Sequence, residues 1–336
     1  MLTMSLQKLN SLILCAAVVI AALSCKKEEE TSSLPGLDGA LSFYAPEYVA
    51  QNQTLTMNPR GVSHPQGGAL GYSWKVLPSM SEADTTDGPF THTFPDTLKQ
   101  YTVKCTAFAS GYASTSSTSY VTVVKGGLDG SITGTGISKD DAKVTFMGTD
   151  YYIVSTGSAQ WFMNNIERND QGAPYANLDV MTGVFGRYYS YEEALTACPE
   201  GYRLPTDADW VALCSDIAPT AAVHQDIEGV ASELMADVKF NGEEMWQYTR
   251  EVGDIKGTTR MAMFPAGYAN LGTKAEDGSY PEASFDGLND YAVFWTADAV
   301  DADKAYYRYL VTGQTDFMIG TGDRRSFGAM VRCVSE

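Results

Sequence analysis

Short runs in which apolar and polar residues alternate dominate the first part of the chain. Residues 42–44, 70–76, 101–108 and 120–124 follow this period-two pattern, and Gly, Pro and Asn collect between them. That combination predicts half-buried β-strands joined by turns. By alternation Tyr72, Trp74 and Val76 fall on one face, as do Tyr101, Val103 and Cys105. The pattern returns at 143–146, 151–154 and 160–163, and in a closing run at 327–334.

Residues 189–213 carry a different signal. Ser190 is followed three positions on by Glu193, and Thr206 by Asp209. Each pair sets a side-chain oxygen over free backbone N–H groups and an acid at the positive end of a helix, so two short helices are predicted. Leu195 on the first, and Trp210 and Leu213 on the second, supply apolar faces. Gly201 permits a sharp turn between them, and Pro205 keeps Leu204 out of helical geometry. Cys198 sits in the middle of this unit.

The first 24 residues hold one charge, Lys8, and a mostly apolar run at 12–23. A run of 12 residues suits a signal-peptide core. It is short of the roughly 20 needed to span a bilayer. The ending Ala22-Leu23-Ser24-Cys25 resembles a bacterial lipobox, although the commonest form has its leucine one place earlier. The resemblance implies that residues 1–24 are removed and Cys25 is lipidated. Lys26-Lys27-Glu28-Glu29-Glu30 then opens a solvated tether over 25–36. It is similar to the signal that sends Bacteroidota lipoproteins to the outer face of the outer membrane.

Gly36-Leu37-Asp38-Gly39 recurs as Gly127-Leu128-Asp129-Gly130, about 90 residues later. Taken as the entry to a domain each time, it gives boundaries at 37–125 and 126–336. The 336 residues suffice for two domains, and 44% apolar with 19% charged content is that of a globular chain. The formal net charge is −18, or −19 once Lys8 leaves with the leader. Such a surface repels nucleic acid and anionic membranes, and no basic patch offsets it.

The Trp74 run, the segment Thr91-His92-Thr93-Phe94 and the run from Tyr101 to Ala107 together resemble PKD-like and other immunoglobulin-like sandwiches. One cysteine lies in this segment, so the inter-sheet disulfide of antibody domains is absent and Cys105 is expected as a buried thiol. Such modules act as spacers. Asp84-Thr85-Thr86 and Asp96-Thr97-Leu98 fit the triplet that Bacteroidota O-glycosylate in exported proteins, with Thr85 expected in a polar loop.

The second segment carries a more specific resemblance. Its elements are Trp161 with Asn164-Asn165, the run Gly186 to Ala194, Cys198-Pro199-Glu200-Gly201-Tyr202-Arg203-Leu204-Pro205-Thr206, Asp209-Trp210, Phe294-Trp295-Thr296 and Val331-Arg332-Cys333-Val334. In kind and order they are similar to the Fibrobacter succinogenes major paralogous domain, with Tyr191 and Tyr202 in place of tryptophans and Thr296 in place of a serine. The resemblance spans 140–336 and implies an irregular α+β domain of the C-type-lectin-like class, related to formylglycine-generating enzymes. The fold class expected is thus an all-β immunoglobulin-like sandwich followed by an irregular α+β C-type-lectin-like domain. The family motif also implies a Cys198–Cys333 disulfide, which an exported protein permits. Arg203 and Arg332, each near one of these cysteines, are expected in structural ion pairs, and Cys214 as a packed thiol.

Little points to catalysis. His64, His92 and His224 are far apart, and no Gly-rich phosphate loop or Gly-x-Ser-x-Gly elbow occurs. An oxidase reading needs a reactive thiol pair, which a structural Cys198–Cys333 bond removes. No cofactor is expected. The acidic segments 286–290 and 298–303 have oxygen ligands that suit calcium, but neither matches an EF-hand and both read as solvated loops. The candidate ligand-binding residues precede the last strand: Tyr307, Tyr309, Asp316, Phe317, Arg324 and Arg325. Aromatics there offer rigid stacking area and arginines bidentate contacts. The expected function is a non-catalytic adhesion or binding module at the cell surface, with a glycan or protein ligand. The alternatives are an accessory part of a surface fibre or nutrient-uptake complex, and a carbohydrate-active or oxidative enzyme on the same scaffold.

Overall fold

The computed structural model describes residues 33–247 and 250–336. Cys25 and the leader lie outside them. The chain is mostly β-strand, with few and short helices.

In the first half, five strands form one sheet in the order Tyr48–Ala50, Thr115–Val124, Gln100–Phe108, Gly71–Leu77 and Asp84–Thr86. The register sets Trp74 opposite Cys105 and Val76 opposite Val103, and all four are fully buried. Two ribbons, Asp38–Ser42 with Arg60–Ser63 and Thr54–Met57 with Phe90–Thr93, bring Leu41, Met57 and Phe90 into the same core. Phe90 stacks on Trp74 with ring centroids 5.4 Å apart. Thr85 is on the edge strand of the sheet rather than in a loop, because its segment pairs with the Trp74 strand.

The second half holds two larger sheets. One runs Lys143–Phe146, Thr149–Thr156, Ala159–Phe162, Val334–Ser335, Tyr202–Arg203; the other runs Ser284–Leu288, Ala266–Asn270, Tyr291–Ala299, Lys304–Val311, Met318–Asp323. Phe327–Gly328 also pairs with the 266–270 strand. The closing run is therefore broken into two short strands. Its ends serve different sheets, and between them Ala329 bridges Tyr189 and Met330 bridges Phe294. Val334 lies between Trp161 and Arg203, so the last strand ties the start of this half to its middle.

The two halves are packed together. Tyr48 and Val124 belong to the second half's core, and Tyr48 meets Tyr175 and Phe240 edge-on at 5.9 and 6.4 Å. The Asn241 side-chain amide donates to the Val123 carbonyl at 3.0 Å. The repeated tetrapeptide does not build a repeated element. Its first copy leads into the Asp38–Ser42 strand, while the second is a turn in which the Gly130 N–H donates to the Gly127 carbonyl at 3.0 Å.

Candidate functional site

The 189–213 unit folds as its capping residues require. Ser190 and Glu193 close a capping box on helix Tyr191–Ala194, and Thr206 and Asp209 close one on helix Asp207–Leu213. Asp209 also accepts two hydrogen bonds from the Arg203 guanidinium, at 2.6 and 3.0 Å. Glu193 is a hub, accepting from the Ser190 N–H at 3.1 Å, the Tyr280 hydroxyl at 2.9 Å and the Lys274 ammonium at 2.6 Å. Burial pushes the Glu193 pKa up, but these donors together outweigh it and hold the carboxyl below its ordinary value. Leu195 contributes less than its sequence suggests: the helix ends at Ala194 and its side chain is largely exposed.

Cys198 and Cys333 are bonded, with Cα atoms 5.8 Å apart. Arg203 has its ion pair with Asp209, but Arg332 does not have one. Among the described residues its partners are neutral: Nε donates to Asn165 Oδ1 at 2.7 Å, and the terminal nitrogens donate to the carbonyls of Phe162, Met163, Met261 and Ala262. The expectation of a carboxylate failed because a convergent set of carbonyl dipoles can satisfy a planar five-donor group instead. Desolvation lowers its pKa to about 9.

These interior residues hold up a sheet with two unlike faces. On one face Ala292, Phe294 and Leu310 enter the core, beside Arg308, whose guanidinium meets the Asp207 carboxylate at 2.6 and 2.9 Å with both side chains fully buried. On the other face Val293 and Trp295 are buried, and above them opens a groove of about 260 Å³ lined by Tyr268, Tyr291, Val293, Tyr307, Tyr309 and Phe327. The five aromatic side chains are half-buried and touch in a chain. Tyr307 stacks on Phe327 at 4.7 Å, Phe327 on Tyr268 at 5.7 Å, and Tyr268 meets Tyr291 edge-on at 5.8 Å.

Two glycines on the strand Met318–Asp323 allow this arrangement. A Cβ on Gly320 would stand 2.5 Å from the tip of the Tyr307 ring, and one on Gly322 would stand 2.6 Å from Phe327. Backbone thus forms the floor on which these rings lie flat, and packing limits their rotamers. Burial raises the pKa of the Tyr268, Tyr307 and Tyr309 phenols, so each keeps its proton at neutral pH and can donate a hydrogen bond.

Of the six residues singled out in sequence, Tyr307 and Tyr309 line the groove. Phe317 does not: it is fully buried, edge-on to Trp210 at 5.5 Å, and has no face to offer a ligand. Asp316 accepts the Gly229 N–H at 2.9 Å. Arg324 pairs with Glu192 and lies 4.8 Å over the Tyr191 ring. Arg325 is exposed and outside the groove's lining. Tyr306 points the other way and stacks on His224 at 4.1 Å. Tyr268, Tyr291 and Phe327 went unnoticed in sequence because they come from separate strands. Alternation along 291–295 is a local signal for Tyr291 alone.

Elsewhere, Thr85 and Thr97 are exposed. In the acidic segments Asp301 accepts the Asp303 and Lys304 N–H groups, both at 2.8 Å, and Asp298 accepts that of Asp207 at 2.6 Å. Among the described residues no group of three or more His, Cys, Asp or Glu is placed to hold a metal ion. Burial pushes the half-buried Glu167 carboxyl up to about 7, with a hydroxyl hydrogen bond from Thr149 opposing it.

The residues most specific in the sequence are therefore interior ones: Trp161, Asn165, Trp210, Thr296, Arg332 and Cys333 are all buried. A family model, that of the Fibrobacter succinogenes major domain, matches residues 132–335, more than half of the chain. The chain belongs to that family. Comparison with curated proteins returns no match. All five groove aromatics fall inside the Fibrobacter succinogenes major domain, whereas the sheet around Trp74 precedes it.

Proposed function

We propose that the protein is a non-catalytic binding module and that the aromatic groove is where it meets its ligand. The observation that carries this reading is a set of five half-buried, mutually packed rings, Tyr307 and Phe327 among them seated over glycines, around about 260 Å³ of open space. Rigid aromatic faces bring large contact area at low entropic cost, and tyrosine adds a polar edge, a combination suited to sugar faces and to protein side chains. In this reading the first half is an immunoglobulin-like spacer and the family domain a C-type-lectin-like head. The whole is anchored through a lipid on Cys25 in the outer membrane, facing outward. Thr85 and Thr97 are its O-glycosylation sites.

The test is binding of the purified full chain to a glycan and host-matrix array, with calcium and with chelator. A saturable hit should weaken at least about tenfold in Tyr307→Ala, with the melting temperature little changed. Loss of binding in chelator would bring the acidic segments back as a calcium site. A chain that binds nothing on the array would instead be an accessory subunit of a surface assembly. Equal loss of binding and stability in the variant would make Tyr307 structural.

A further inference from the structure

We infer that the groove takes a positively charged side chain, lysine or arginine, presented by a protein ligand. This rests on the groove being the binding site and names what fills it. Three observations converge on a cation.

The first is how this protein uses its other rings. Arg324 lies over Tyr191 at 4.8 Å, Arg332 over Phe294 at 5.4 Å, Arg308 over Phe317 at 5.7 Å and Arg168 over Phe146 at 5.9 Å. Among the described residues, none of the five groove rings carries such a partner, and the lining contains no lysine or arginine. The parts of these rings that face the open groove are thus not engaged by a cation of the protein's own.

The second is charge at two separate points along the rings. Asp286 sits directly opposite Tyr268 in the antiparallel register of their strands. Asp226 is pinned beside the strand that carries Met318, Tyr309's partner, by accepting the Ile319 N–H at 2.8 Å. Each carboxylate adds to burial in raising the pKa of the tyrosine it faces, Asp286 for Tyr268 and Asp226 for Tyr309. Both acids are exposed, so a cation bound over the rings can reach them.

The third is scale. About 260 Å³ holds one long side chain rather than a length of extended polymer. The net charge of −18 draws cations toward the surface over distance. A neutral sugar could donate its hydroxyls to the acids but would gain none of the attraction between opposite charges.

The test uses the full chain and two tripeptides, acetyl-Gly-Arg-Gly-amide and its citrulline counterpart, which has the same shape without the charge. Binding is read from the tyrosine ring resonances by NMR. The arginine peptide should bind about tenfold more tightly at low salt. Asp226→Asn with Asp286→Asn should cut its affinity by about threefold or more and leave the citrulline peptide unchanged. Tyr307→Ala should weaken both peptides. Equal binding of the two peptides would overturn the inference. If neutral oligosaccharides bind through Tyr307 while the charged peptide shows no advantage, the groove remains the site and only the cation is wrong. If nothing moves the tyrosine resonances, both readings fall.

Discussion

Arg332 and Glu193 illustrate two ways of burying a charge. Arg332 spends its donors on neutral oxygens of Asn165, Phe162, Met163, Met261 and Ala262. Lysine keeps the charge but has three donors and no planar fork, so Arg332→Lys leaves buried carbonyls unmet. We expect it to destabilise by about 3 kcal/mol, measured by denaturant unfolding. Glu193 is held by Lys274, Tyr280 and Ser190, and its folded pKa lies below the unfolded value. A depressed carboxylate stabilises above its unfolded pKa, and that contribution drains away as pH falls through the folded value. Glu193→Ala should therefore cost on the order of 3 kcal/mol at pH 7. The gap between variant and parent should begin to narrow near pH 4, where the free carboxylate titrates, and go on narrowing as pH falls through the lower folded value. A gap independent of pH would mean that the charge of Glu193 contributes nothing.

At the scale of the element, the strand Met318–Asp323 does more than pair. Gly320 stands opposite Tyr307 in the ladder and leaves the space its ring occupies. In Gly320→Ala the new methyl would meet the end of the Tyr307 ring rather than backbone, so the ring must shift within its packed surroundings. The expected result is a small loss of stability, about 1 kcal/mol, with a reshaped groove and weakened binding. Full binding with a displaced ring resonance would show that the ring's position does not matter. The helices at 191–194 and 207–213 were legible in sequence because capping is local: the cap and its acid lie three residues apart. The closing run was not legible as two strands, since its break comes from passing between two sheets.

Across the whole molecule, two long-range ties matter most. The Cys198–Cys333 bond closes a loop of 135 residues, so Cys333→Ser should lower stability by as much as about 5 kcal/mol in the chain-entropy model. Thiol labelling offers a second check. Burial pushes the Cys105 and Cys214 thiols up to about 12, so in the native disulfide form both should react slowly at neutral pH. The other tie is Tyr48, a first-half residue seated among Tyr175 and Phe240. Tyr48→Ala should cost about 3 kcal/mol and uncouple the melting of the two halves. A single unaltered transition would show that the joint carries no load.

The amino-acid order alone determined what depends on near neighbours or on covalent chemistry. That includes the alternating strands around Trp74 and Val103, the two capped helices, and the family signature with the disulfide it implied. Only the tertiary structure decided which signature residues are interior, that Phe317 is core, that Arg332 needs no carboxylate, and that Tyr268, Tyr291, Tyr307, Tyr309 and Phe327 make one groove. Local periodicity tells which way a side chain points from its own strand. It does not tell which strand lies alongside, and a groove shared by four strands exists only once their order is set.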